Sequence, residues 1–122
     1  LSMAGTSMAT PVTAGAAALD SWKTFVPENL KVFAARRDAA VAAFRANGFT
    51  CDVPKATMYL WLPLPDGVAS KEFADRLREE HGVIVLPGSG FGDGGEGFFR
   101  ISFIQSAERL GEAAARAGRL LR

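Results

Sequence analysis

The sequence predicts a two-layer α/β (α+β) sandwich, in which a small mixed three-stranded sheet packs with three to four helices. Three observations lead there. Apolar residues recur at helical spacing in three stretches, 27–46, 70–81 and 107–121. Between and around these stand short apolar runs of strand type at 56–62, 83–86 and 98–104. The chain has 122 residues, 48% hydrophobic and 22% charged, enough for one domain with one core and too apolar for a disordered segment.

Residues 1–19 carry no charge and are mostly Ala, Gly, Ser, Thr and Met. Small side chains let backbones approach closely, so this segment is expected as a buried, tightly packed helix. Pro11 suits its first turn, with a cap near Thr6 or Ser7. Residues 20–29 read as a connector. Pro27 opens the next helix, followed by Glu28 at the positive end of the dipole. That helix runs to Ala46, with Leu30, Phe33, Ala34, Val41 and Phe44 on one side, and Asn47-Gly48 ends it.

The period then changes. Met58, Tyr59, Leu60, Trp61 and Leu62 form a strand with both faces apolar, stopped by Pro63, Pro65, Asp66 and Gly67. Ser70 reads as the N-cap of a helix that turns Phe73, Ala74 and Leu77 inward and ends near His81-Gly82. Val83–Leu86 is a short buried strand, 87–97 a glycine-rich loop, and Phe98–Ile104 a third strand. Ser106 caps a last helix with Leu110, Ala113, Ala114, Ala117 and Leu121 inside.

Composition excludes several function classes. Fourteen basic and 13 acidic residues leave a net charge of +1, which gives no electrostatic footprint for nucleic acid or an anionic membrane. Arg116, Arg119 and Arg122 suit the negative end of the last helix. Cys51 is the sole cysteine, so neither an internal disulfide nor a cysteine-rich metal site is expected. The apolar N-terminal stretch lacks a basic n-region and is interrupted by Thr10, Pro11, Thr13 and Gly15, so it is not expected to be a secretion signal. No stretch reaches the roughly 18 apolar residues of a membrane span.

Three motifs bear on chemistry. Gly90, Gly92 and Gly95 spell GxGxxG, but that fingerprint must lead into a helix whose N-terminus meets a pyrophosphate, and here a strand follows. The loop reads equally as a mobile connector that needs no ligand. Arg100, on the third strand, shares a face with Phe98 and Ser102, while Phe99, Ile101 and Phe103 face the other way. An arginine there is hard to bury unpaired, so it points at a cleft, a carboxylate or solvent.

The third motif is Gly5-Thr6-Ser7-Met8-Ala9-Thr10-Pro11, which resembles the nucleophile segment of the subtilisin-like serine peptidases, with Ser7 as nucleophile. A catalytic serine needs a base and a group that orients the base. The sole histidine, His81, does not sit in that family's histidine motif. Ser7 is therefore expected to be vestigial, at most a helix cap, and a serine hydrolase is the remotest reading.

From about Asp20 onward the chain resembles the C-terminal small domain of the fold-type-I, class I/II aminotransferases, nearest to those acting on LL-diaminopimelate or similar amino acids. Arg36-Arg37-Asp38, residues 54–61 (PKATMYLW), residues 82–92 (GVIVLPGSGFG) and residues 98–103 (FFRISF) carry the resemblance. It implies that Arg100 binds the substrate α-carboxylate and that Gly88, Ser89 and Phe91 shape the loop at the substrate entrance. It implies pyridoxal phosphate as the parent cofactor and a cytoplasmic location. The Schiff-base lysine, the aspartate on the pyridine nitrogen and the phosphate cup belong to that family's large domain. None of Lys23, Lys31, Lys55 or Lys71 lies in the lysine's motif, so no cofactor site is expected in this chain.

The abrupt change of character near residue 19 suggests a chimera. Residues 1–19 would be a subtilase helix completing an aminotransferase small domain at 20–122, together one catalytically inert domain, natural or designed. The alternative is an aminotransferase segment that contributes the α-carboxylate site. A surface around Tyr59 or Trp61 that would meet the large domain is then exposed, and a homo-oligomer through that surface is expected. No nucleic-acid or membrane partner and no metal are expected.

Overall fold

The structure, a computed structural model, describes residues 9–122. Ser7, and with it the expected cap at Thr6 or Ser7, lies outside the described residues. In chain order the elements are α1 (Ala9–Asp20), α2 (Trp22–Ala46), β1 (Tyr59–Pro63), α3 (Ser70–His81), β2 (Leu86–Pro87), β3 (Phe98–Ser102) and α4 (Ala107–Arg119), with two short 3-10 turns between β2 and β3. The chain divides into two compact units, Leu1–Val32 and Phe33–Arg122. The division falls inside α2.

In the first unit, Pro11 falls in the opening turn of α1. The connector expected at 20–29 is a break of one residue. The Ser21 hydroxyl donates to the Ala17 carbonyl (2.9 Å), and the Ser21 carbonyl accepts from the Thr24 and Phe25 N–H groups (3.0 and 2.9 Å). One residue thus serves the end of α1 and the start of α2. Pro27 consequently lies inside α2, not at its start. Its missing N–H forfeits one bond on an exposed turn, where water can take the free carbonyl. The expected burial of the small-residue helix is not observed, because Val12 and Leu19 are exposed in α1. Alanine, glycine and threonine remove little apolar area from water, so their composition alone does not force a helix inward.

The second unit holds the core. β3 is central and pairs antiparallel with β1 on one side and β2 on the other. The sheet is therefore antiparallel throughout and not mixed. The connection through α3 leaves β1 and β2 running in the same direction, but β3 lies between them and runs opposite to both, so no parallel pair arises. Leu60, Leu62 and Phe99 are buried on one sheet face, against Ala40, Val41 and Phe44 of α2, Phe73 and Leu77 of α3, and Leu110 and Ala114 of α4. At the centre, Phe99 packs with Phe73 (ring centroids 5.1 Å apart), Phe49 (5.5 Å) and Phe44 (6.1 Å), in the tilted and edge-on arrangements that aromatic quadrupoles favour. The helical layer thus covers one face, as expected for a two-layer sandwich.

Two strand boundaries differ from the sequence reading for local reasons. β1 starts at Tyr59 rather than Ala56, because Thr57 takes a φ of 76°, outside any extended conformation. β2 is reduced to Leu86–Pro87, because the start of its run is used to close α3. Gly82, with a φ of 67°, and Val83 donate their N–H groups to the Arg78 and Leu77 carbonyls (3.1 and 3.2 Å).

Ser70 is not the N-cap of α3. Ala69 holds that position, with no side-chain bond of its own. The cap comes from a distance: Glu96 accepts the Ser70 N–H on Oε1 (2.7 Å) and the Ser70 hydroxyl on Oε2 (3.0 Å). Ser106, by contrast, caps α4 as expected, accepting the Arg109 N–H at 3.4 Å.

Candidate functional site

Within Phe33–Arg122, no helix covers the second face of the sheet. Strand alternation puts Tyr59 and Trp61 of β1 there, beside Phe98 and Arg100 of β3. In the register Trp61 lies opposite Arg100 and Tyr59 opposite Ser102, so Arg100 reaches Tyr59 along the cross-strand diagonal. Its guanidinium lies 4.0 Å from the Tyr59 ring centroid and 4.5 Å from that of Phe91. Trp61 stacks on Phe98 (5.4 Å, 18° between planes) and meets Phe91 edge-on (5.8 Å, 71°). Two aromatic rings, Tyr59 and Phe91, therefore flank the cation, and Trp61 and Phe98 extend the aromatic cluster through Phe91.

The position of Phe91 depends on the loop that carries it. Gly88 and Gly95 are buried against one another, so that a Cβ on Gly88 would stand 1.9 Å from the Gly95 carbonyl oxygen. The Ser89 N–H donates to the buried Ser70 hydroxyl (3.2 Å), which in turn donates to Glu96. The bonds from Ser70, with that from the Gly97 N–H, hold the Glu96 carboxyl below the usual glutamate range. The loop is thus tied to α3 at its base, unlike the mobile connector that its glycine content suggests.

Of the residues singled out from the sequence, the structure brings Arg100 and Phe91 together. Gly88 and Ser89 serve at the root of the loop, away from the guanidinium. The sequence reading missed Tyr59 as a partner of Arg100, although the shared strand face was a usable signal. It also missed the Ser70–Glu96 pair, for which 26 intervening residues leave no local signal.

Arg100 opens onto a cleft of about 530 Å³ whose other walls include Ile84, Ser102, Gln105, Arg109 and Arg116. Arg116 donates to the His81 carbonyl (2.8 Å) and pairs with Glu112. Neither Arg100 nor Arg109 forms a salt bridge with any described residue. A guanidinium flanked by rings, with no carboxylate of its own, is fit to receive a planar anion through two parallel N–H donors. The cleft does not fit pyridoxal phosphate as a resident group. An imine-forming cofactor needs an amine, and the described cleft lining contains three arginines and no lysine.

Comparison with known proteins bears on both fold and site. The family model "Aminotransferase class I and II" matches residues 2–116, so the segment that resembles a subtilase motif lies inside the aminotransferase match. An LL-diaminopimelate aminotransferase of Maridesulfovibrio salexigens is 41% identical over 88% of this chain and 28% of its own length. The L-glutamine–4-(methylsulfanyl)-2-oxobutanoate aminotransferase of Bacillus subtilis is 41% identical over 88% of the chain and 27% of its own. Among solved structures, an aromatic aminotransferase of Pyrococcus horikoshii superposes with a TM-score of 0.76 at 37% identity, over 84% of this chain and 27% of that one. The chain spans 28% of the length of the first of these relatives. By the extent of the family match and the agreement of the fold, the chain belongs to the class I and II aminotransferases.

Proposed function

We propose that this chain forms the α-carboxylate-binding part of a pyridoxal-phosphate-dependent aminotransferase that acts on LL-diaminopimelate or a similar amino acid. The reading rests on Arg100, a guanidinium with no acidic partner among the described residues, held between Tyr59 and Phe91 at the mouth of a cleft. Arg100 grips the carboxylate bidentately, and Phe91 closes over the substrate from the entrance loop. Cofactor binding and proton transfer belong to groups that these 122 residues do not supply, so the chain alone is catalytically inert. This reading is preferred to that of an inert chimera of subtilase and aminotransferase, because the family match spans residues 2–116 and so takes in both sides of residue 19.

The test is a hybrid enzyme in which this chain replaces the matching segment of the Maridesulfovibrio relative. The hybrid is expected to transfer the amino group of LL-diaminopimelate to a 2-oxo acid. Arg100→Gln is expected to raise the KM for the amino donor by about 100-fold, the loss of two charge-assisted hydrogen bonds. An unchanged KM in a folded variant would rule out the role of Arg100. The exposed Tyr59–Trp61 face also predicts self-association of the isolated chain. A sedimentation mass that stays monomeric as concentration rises would count against that.

A further inference from the structure

Phe91 is 52% exposed. Its ring meets the Trp61 ring edge-on and the Arg100 guanidinium on its face. Contacts of that kind do not by themselves fix the path of a glycine-rich loop, because little apolar area leaves water. The place of Phe91 over Arg100 must therefore be set from the root of the loop.

One side chain reaches both arms of that root. Ser70 is fully buried in the first turn of α3. Its hydroxyl accepts the Ser89 N–H (3.2 Å) on the arm entering the loop and donates to Glu96 Oε2 (3.0 Å) on the arm leaving it. Its N–H donates to Glu96 Oε1 (2.7 Å). Ser89 stands in the same 3-10 turn as Phe91, two residues before it. Glu96 stands two residues before Phe98, whose ring stacks on Trp61, and Trp61 in turn meets Phe91. Ser70 is thus connected to Phe91 by two routes, along the backbone from Ser89 and through the rings from Glu96. Ala69 brings no cap of its own, so the start of α3 and the root of the loop share one set of hydrogen bonds, and neither shifts alone.

We infer that Ser70, with Glu96, is a positioning residue for the substrate carboxylate: it fixes the reach of Phe91 over Arg100 without touching the substrate. The inference deepens the α-carboxylate reading and rests on it for the identity of the ligand. Once the root is released, Phe91 spends less time against the guanidinium, and the anion is held less firmly. The groups that move protons lie outside these 122 residues and are undisturbed. The loss is therefore expected in binding, as a raised KM with kcat unchanged.

The test has two arms. In the isotope-labelled chain, the side-chain resonances of Arg100 are displaced by the ring currents of Tyr59 and Phe91. Phe91→Leu removes one of these, and Ser70→Ala is expected to move the Arg100 resonances in the same direction while those of the core ring Phe99 stay in place. A role confined to stability would leave the folded chain's Arg100 resonances where they are. Glu96→Ala, at an exposed position, keeps the fold and is expected to give the same displacement, which covers failure of Ser70→Ala to fold. In the hybrid enzyme, Ser70→Ala is expected to raise the KM for the amino donor about two- to fivefold, as for Phe91→Leu, with kcat unchanged. The two substitutions together are expected to do no more than either alone, because both act through one ring. Three results would overturn the inference: Arg100 resonances unmoved in the folded variants, an unchanged KM beside moved resonances, or KM increases that multiply in the double variant. A KM left unchanged by Arg100→Gln would overturn the α-carboxylate reading instead, and the hold of Ser70 on Phe91 would then stand or fall by the Arg100 resonances.

Discussion

The guanidinium of Arg100 lies 4.0 Å from the centre of the Tyr59 ring, on the sheet face opposite the helical layer. An arginine stacked on a ring loses little on being turned from water, and its N–H edge stays free for an anion. Phe91 completes the arrangement from the other side at 4.5 Å. In the hybrid enzyme, Phe91→Leu keeps the apolar volume and removes the ring. A partly exposed cation–π contact is worth about 0.5–1 kcal/mol, so the KM for the amino donor is expected to rise roughly two- to fivefold. Arg100→Lys is expected to cost more than Phe91→Leu, because an ammonium has no planar fork to match a carboxylate. The reverse order in steady-state kinetics would mean that Arg100 acts as a simple point charge.

The Ser70–Glu96 pair makes stability depend on pH. The bonds from Ser70 lower the Glu96 pKa in the folded state. A depressed carboxyl pKa adds stability above the unfolded value, about 4.3 for glutamate, and that stability fades as pH falls through the folded pKa. Denaturant midpoints for the parent chain are therefore expected to fall more steeply below about pH 4.3 than those of Glu96→Gln. The Gln variant is expected to be less stable at pH 7, with the two curves converging in acid. Parallel curves would show that Glu96 does not stabilise through its charge. Ser70→Ala, at a fully buried position, is expected to cost about 1.5–3 kcal/mol, the range for a hydrogen bond to a charged group.

What the sequence revealed and what it hid divide along the range of the interactions. The helix at 70–81 and the cap at Ser106 are set by neighbours within one turn, and both stand where the pattern put them. The common face of Arg100 and Phe98 follows from strand alternation alone. Ser70 looked like a cap because local patterns cannot show a carboxylate 26 residues away. The approach of Phe91 to Arg100 was hidden for a similar reason, since the loop path is fixed by a backbone contact between Gly88 and Gly95. The antiparallel pairing also depends on strand order, which periodicity does not encode.

That backbone contact gives a paired prediction. At Gly88 an added Cβ would lie 1.9 Å from the Gly95 oxygen, whereas at Gly90 nothing stands within 4 Å. Backbone cannot swing aside as a side chain can, so the loop must shift. Gly88→Ala is expected to cost at least about 2 kcal/mol, in the range of overpacked sites. Gly90→Ala is expected to stay within about 0.5 kcal/mol of the parent. Urea unfolding of the two variants decides it. Equal stabilities would mean that the two arms of the loop do not touch.

Thr57 carries the last prediction. It is the non-glycine residue with a positive φ among those described, at 76°, two residues before β1. A β-branched side chain in that region crowds its own backbone, at roughly 1–2 kcal/mol. Glycine removes the strain but adds unfolded-state entropy, at about 0.5–1 kcal/mol. The difference favours the variant, so Thr57→Gly is expected to stabilise the chain by about 0.5–1 kcal/mol. Thr57→Asn, which tolerates the left-handed region better than threonine, should give a smaller gain. Thr57→Val keeps the branching and so keeps the strain, which makes it the control. A lower urea midpoint for Thr57→Gly than for the parent would show that contacts made by the threonine side chain outweigh the strain of its backbone.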